Sequence, residues 1–344
     1  MKRTRAFTCA LALLLIGGAA FAAPGIRQGI PGPYGSIPAK FEDFAVIVEP
    51  EEDAAEWWAG APSVVRDEDG VFWLACRMRT PELPRGLRGY ELRILRSEDG
   101  VNFEHVKSIF REDIPIATFE RPALAIDPDT GHFKLYACSP WPDTDGVWSI
   151  VKFDDVADPA DFDPSTARPV IQPLPMAYPR DIRPEGYKDP VVIYAEGAWH
   201  CYVIGQIRRT ERIYHFTSAD GENWEPVGSH YDDILDAKGW HNFYIRPSSV
   251  VPLGIGYLFV YEGSSAAWHD PVYNMGTGLA FTFDLHNLVN ITTEGPLAIS
   301  STPSENFHVF RYSDWLLVDD MWYIYAEVAK PNEAHELRLF RVAR

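Results

Sequence analysis

At several points in the chain, charge stands directly against apolar, strand-forming runs. In YKDPVVIYA, Lys188 and Asp189 precede Pro190. In FERPALAI, Glu120 and Arg121 precede Pro122. In YIRPSSVV, Arg246 precedes Pro247, and in GYLFVYEGSS, Glu262 closes the run. Two carboxylates facing each other across a cavity suit the hydrolysis of a glycoside. One carries the proton for the leaving oxygen; the other, ionised, activates water or attacks the anomeric carbon. Asp189, Glu120 and Glu262 are the candidate catalytic carboxylates. Arg121, Arg246 and Lys188 can clamp hydroxyls or an anion. Each also has a structural alternative: a strand cap for Asp189, an ion pair with Arg121 or Arg180 for Glu120, a strand end for Glu262, and salt bridges for the arginines.

The same regions carry further groups suited to a sugar. Trp57, Trp58, Trp240 and Trp268 stand near predicted strand ends, and aromatic faces stack on pyranose rings; packing between sheets is their alternative use. Glu56 adjoins Trp57 and Trp58. Glu185, in RPEGYKDP, lies four residues before Asp189. His241, in GWHNFYIRP, lies just upstream of Arg246, and Glu327 closes the last strand pair as Glu262 closes an earlier one.

The elements that must position these groups are strands. Short runs rich in Val, Ile, Tyr, Phe and Trp are bounded by Gly, Pro, Asp and Asn. Five copies of one pattern begin at Ala61, Arg121, Asp189, Arg246 and Tyr312, spaced 60, 68, 57 and 66 residues apart. The first four carry proline at their second place. Each period holds a second hairpin, marked by Ser97-x-Asp99-Gly100 and Ser218-x-Asp220-Gly221, and Asp-Gly is a strong hairpin turn. Four strands per period of about 60 residues describe a propeller blade. The prediction is an all-β, five-bladed β-propeller over residues 45–344. Proline is tolerated at a strand's first residue and holds its predecessor extended. The residues before each proline are therefore expected to ring the central cavity.

This arrangement resembles the five-bladed propeller glycosidases of glycoside hydrolase families 43, 62, 32 and 130, over roughly residues 45–344. The resemblance implies acidic residues opening the innermost strands of the first three blades. Asp189 in Lys-Asp-Pro matches that pattern. The second blade offers Arg121 with Glu120 before it, and the first has Ala61 where an aspartate is expected, with Glu56 the nearest replacement. The implied activity is hydrolysis of a glycan, and the acidic net charge makes a neutral one the expectation. Two rivals are a propeller that binds carbohydrate without cutting it, supported by Ala61, and a family-130-like phosphorylase, with Lys188, Arg121 and Arg246 as its anion pocket.

Composition narrows the partners. The net charge of −18 disfavours nucleic acid and anionic membrane surfaces. It also disfavours acidic polysaccharides unless a local basic pocket forms. The start, MKRTRAFTCALALLLIGGAAFAA, reads as a cleavable signal peptide over 1–22, followed by a lead segment at 23–44; it predicts a secreted or periplasmic protein. Cys76, Cys138 and Cys201 fit no zinc spacing and read as buried thiols, with one disulfide an alternative. No cofactor is expected, and no ligand motif supports calcium. P-loop, HExxH, GxSxG and Rossmann fingerprints are absent.

Overall fold

The computed structural model describes residues 43–82, 87–144, 146–175, 182–299 and 309–343. The expected signal peptide at 1–22, residues 23–42 of the lead segment, and Arg180 lie outside these. The fold is all-β. Helix among the described residues is confined to five single-turn 3-10 segments.

The strands form five successive antiparallel groups. The first is β2 (Trp58–Arg66), β3 (Phe72–Arg79), β4 (Gly89–Ser97) and β5 (Glu104–Phe110). The second is β6 (Ala123–Ile126), β7 (Phe133–Trp141), β8 (Val147–Lys152) and β9 (Arg168–Ile171). The third is β10 (Gly186–Ala195), β11 (Ala198–Ile207), β12 (Thr210–Ser218) and β13 (Glu225–Pro226). The fourth is β14 (Tyr244–Pro252), β15 (Tyr257–Ser264), β16 (Gly276–Thr282) and β17 (Val289–Asn290). The last comprises β18 (Phe310–Val318), β19 (Met321–Ala329) and β20 (His335–Ala343). Its outer place is taken by β1 (Ala45–Val48), which pairs antiparallel with β20. Both ends of the described chain therefore share one sheet.

The groups close a ring. The first strand of each touches the first strand of the next, and β18 touches β2. An apolar core fills each junction: Trp73 and Leu92 against Leu135 and Val151, Tyr136 and Cys138 against Trp199 and Cys201, Tyr202 and Ile213 against Phe259 and Tyr261, Val260 and Leu279 against Trp315 and Trp322, and Tyr325 and Leu337 against Leu74 and Cys76. Burial of such apolar surface is the main driving force for the fold. All three described cysteines are free and buried within it.

Tyrosine hydroxyls staple one group to the next. The Ser-x-Asp-Gly turns are held by their own side chains: the Ser97 hydroxyl accepts from Gly100 N at 2.9 Å, and Asp99 Oδ1 accepts from Val101 N and Asn102 N at 2.8 Å. Gly100 sits at φ 70° and Gly221 at φ 74°. Thr282, Asp284 and Asn287 build a third such turn, with Leu285 at φ 64° where the others use glycine. Tyr325, Tyr136 and Tyr202, each on the second strand of the preceding group, donate to the carbonyls of Gly100, Gly221 and Leu285 at 2.7, 2.7 and 2.6 Å.

A bulge sits at the same depth in four of the first strands. The ladder slips after Gly60, after Lys188, after Pro247 and after Arg311. Ala61, Asp189 and Tyr312 occupy it at φ 52°, a left-handed conformation that costs a non-glycine residue roughly 1–2 kcal/mol. The register also corrects the alignment of the repeats. Arg246 faces Glu262 as Gly60 faces Arg77, Lys188 faces Ile204 and Arg311 faces Glu327. Pro247, not Arg246, therefore shares the level of Ala61, Asp189 and Tyr312. Glu120 N bonds Cys138 O at 3.1 Å, which puts Glu120 on the Arg246 level.

Candidate active site

Two stacked rings result. The outer ring, at the strand starts, is Gly60, Glu120, Lys188, Arg246 and Arg311. The inner ring holds Ala61, Arg121, Asp189, Pro247 and Tyr312. β3, β15 and β19 add Arg77, Glu262 and Glu327 behind them.

Asp189 is buried at the centre. One oxygen accepts from Arg121 N at 3.3 Å and lies 3.4 Å from the Cys138 thiol; the other accepts from the Tyr312 hydroxyl at 3.2 Å. Arg121 spans the axis. Its guanidinium donates to Ser248 O at 2.6 Å, Pro247 O at 3.1 Å and Pro62 O at 3.5 Å, tying the second group to the fourth and first.

Glu120 ion-pairs with Arg77, and Lys188 Nζ lies 3.9 Å from its other oxygen. Burial alone would raise this carboxyl, but Lys188, Arg77, Arg79 and Arg311 outweigh it and hold the pKa at about 2. Lys188 lies 4.2 Å over the Trp148 ring and also faces Glu211. Glu211 itself pairs with Arg246, whose guanidinium lies 5.0 Å over Tyr244.

Glu262 and Glu327 occupy equivalent places with opposite proton affinities. Glu327 Oε1 accepts from Arg311 at 2.7 Å and from His335 Nδ1 at 2.6 Å; Oε2 accepts from Arg77 at 3.1 Å and from Ala61 N at 3.1 Å. Burial works against its charge, yet Arg311, Arg77 and His335 hold the carboxyl well below the usual range. Among the described residues Glu262 accepts only from the Ser248 hydroxyl at 3.2 Å and Ser313 N at 3.3 Å, and its Oε2 has no partner there. Burial there outweighs the more distant Arg121, Arg246 and Arg311 and pushes it up to about 7.

Trp58 lies flat between two groups. His335 stacks on it at 4.0 Å with an interplanar angle of 2°, and the Arg79 guanidinium lies 3.9 Å from its centroid. Tyr273 meets its edge at 5.6 Å.

The other expected site residues stand apart from this constellation. His241 is buried against Trp240 and Tyr261, with Nε2 3.0 Å from Asn290 Nδ2. Trp268 stacks on Trp240 at 6.2 Å, and Trp240 in turn on Tyr261 at 5.8 Å, in the fourth group. Glu56 pairs with Arg88 at 2.8 Å. Trp57 lines a surface hollow with Tyr90 and Glu91, and Glu185 is exposed.

Arg77, Arg79, Glu211, Tyr244, Tyr273, Arg311 and Tyr312 join this constellation without having been expected in it from the sequence. Two signals were readable. RMR ends the apolar run of β3 with two arginines on one face, and Arg311-Tyr312 aligns with Lys188-Asp189. A cavity of about 530 Å³ opens at the opposite end of the ring. It is lined by Val64, Leu124, Val191, Val250 and Trp315, and reaches the charged centre only at Arg121. No group of three or more His, Cys, Asp or Glu among the described residues could hold a metal ion. No described helix is long and apolar enough to cross a membrane.

No family model and no curated protein matches the sequence. Solved structures do match in fold. A structure described with GH130 mannoside phosphorylases and hydrolases that target β-1,2-mannosidic linkages aligns at TM-score 0.63 and 14% identity, over 91% of this chain and 96% of that one. The chain is similar in fold to the propeller glycosidases. The β-1,2-mannobiose phosphorylase of Listeria innocua aligns at 0.61 with 12% identity, over 86% and 92% of the two chains. The GH32 β-fructofuranosidase of Bombyx mori aligns at 0.59 with 13% identity, over 87% of this chain and 62% of that longer one. These propeller glycosidases share the strand architecture; at such identities the likeness extends to fold alone.

Proposed function

We propose that this chain is a five-bladed β-propeller glycoside hydrolase acting at the outer ring, with the five strand groups as its blades. The observation that carries the reading is the divergence of two carboxyls in one buried cluster: Glu120 is held ionised at about 2, and Glu262 is raised to about 7. Pairs of titratable groups pushed apart in this way separate the ionised role from the proton-carrying role. Glu120 would serve as the ionised carboxylate, with Glu211 across Lys188 as a second acidic group at the mouth and Asp189 fixing the ring beneath. The likeness to propeller glycosidases supports carbohydrate as the ligand. The signal-peptide pattern supports export to the periplasm or beyond.

One observation favours a propeller that binds without cutting. Both Asp189 oxygens already accept hydrogen bonds within the protein, and Glu327 is wholly engaged. The phosphorylase reading has less support, because Arg121, Arg246 and Lys188 are each occupied by protein partners. One assay separates the three. The full chain is incubated with a panel of oligosaccharides, with and without inorganic phosphate, and products are separated by chromatography. Hydrolysis predicts phosphate-independent release that Glu120→Gln removes. Binding without product supports the second reading, and phosphate-dependent release the third.

A further inference from the structure

We propose that Arg79 is an anion-recognition residue of the mouth, and that the glycan taken there carries a carboxylate, as a hexuronic acid does. This rests on the glycan-active reading above and names its substrate class.

Arg79 is only 4% exposed, yet its side chain makes no hydrogen bond or ion pair with any described residue, and its Nε and Nη2 are buried without partners. Every other cation of the cluster is engaged. Arg77 holds Glu120 and Glu327, Arg311 holds Glu327, Arg246 holds Glu211, Lys188 stands beside Glu120, and Arg121 is spent on carbonyls. An unpaired buried charge costs several kcal/mol, so such a group is ordinarily matched by an opposite one. Burial accordingly pulls Arg79 below the usual guanidinium range, against the pull of Glu120.

The orientation suits a planar anion. Trp58 covers one face of the guanidinium at 3.9 Å, leaving the in-plane N–H groups as the available donors. A guanidinium presented edge-on matches a carboxylate by two parallel hydrogen bonds. Tyr273 and Arg311 are near enough for their charge to act on it, and the Arg311 guanidinium lies 4.9 Å from the Trp58 ring and 5.6 Å from the Tyr273 ring. A cluster of cationic side chains thus stands at the strand starts of a chain whose net charge is −18. That is the local exception under which an acidic glycan can approach an acidic protein. A sugar carboxylate and free phosphate share the required chemistry, and the test separates them.

Binding of hexuronate oligosaccharides, of neutral oligosaccharides of equal length and of inorganic phosphate is measured by calorimetry on wild-type protein and on Arg79→Gln. The expected result is that the uronide binds and that the acidic-to-neutral affinity ratio falls roughly tenfold or more in the variant, as loss of a charge-assisted pair implies. An unchanged ratio overturns the proposal. So does Arg79-dependent binding of phosphate with no uronide binding, which would make the anion a free one. Neutral glycan turned over while uronides are ignored refutes this inference alone. If no glycan of either kind binds, the glycan-active reading itself fails. Should Arg79→Gln not fold, the melting temperature of wild-type protein titrated with the uronide decides: a rise seen with uronide and not with neutral sugar supports the proposal, and no rise overturns it.

Discussion

Gly60 and Glu327 are locked together where the first strand group meets the last, and a double-mutant cycle reads the lock. A Cβ on Gly60 would lie 2.1 Å from Glu327 Oε2 and 2.4 Å from its Cδ and Cγ. The carboxylate cannot step aside without giving up Arg77, Arg311, His335 and the Ala61 amide. Glu327→Ala leaves Arg311 buried without its carboxylate, and losing one partner of a buried pair costs about 3–5 kcal/mol. Gly60→Ala dislodges the same carboxylate, so it should cost about 3 kcal/mol in the wild type. In the Glu327→Ala background the obstructing atoms are gone. The same change should there be neutral, or stabilising by up to about 1 kcal/mol, because alanine narrows the unfolded ensemble. The expected coupling is about 3 kcal/mol, at the top of the range for residues in contact. Urea unfolding of the four proteins, followed by circular dichroism and compared at equal m, measures it. Effects that add to within about 0.5 kcal/mol would show that the carboxylate network does not hold this corner as described.

Two predictions concern pH. Glu262 keeps its proton to about pH 7 when folded and loses it near 4.5 when unfolded. Stability from this group is therefore present at low pH and lost as pH rises from 4.5 to 7, by up to about 3 kcal/mol. Glu262→Gln should melt higher than wild type at pH 8 and equal to it at pH 4; a scanning-calorimetry difference that does not vary with pH would refute the assignment. His215 behaves in the opposite sense. Burial, then His200 at 2.9 Å and His286 at 3.2 Å, push it down to about 3, with Asp284 pulling weakly the other way. The unfolded imidazole takes its proton near 6.5, so stability should fall as pH drops from 6.5 toward 3, by up to about 4–5 kcal/mol. His215→Gln should flatten that acid limb in pH-dependent urea melts, and an unchanged limb would place the acid sensitivity elsewhere.

The all-β strand pattern was readable because the repeats satisfy local rules in their own sequence: an x-Pro strand start in the first four, and in all five a Gly or Asp turn and an aromatic return strand. The site was less readable, for two physical reasons. A bulge changes the phase between residue number and position in the ring. Pro247 matched the other prolines by eye, but the ladder sets it at the level of Asp189, and Arg246 moves to the level of Glu120 and Lys188. The second reason is that ring residues find partners across the sequence. Arg77 meets Glu327, 250 positions away, and Tyr312 meets Asp189, 123 away; such pairs leave no local trace. Trp268 and His241 show the converse: Trp268, among small and polar neighbours in sequence, and His241, just upstream of Arg246, both stack on Trp240 within the fourth group. The third Asp turn has no Asp-Gly signature because Leu285, at φ 64°, stands where the other two turns carry glycine.

The central claim is that the outer ring acts on carbohydrate through Glu120. Chromatographic detection of products from a panel of neutral and acidic oligosaccharides, with wild-type protein beside Glu120→Gln of equal melting temperature, tests it most directly. Phosphate-independent product is expected from at least one member with the wild type and from none with the variant. Equal turnover by the two proteins would contradict it.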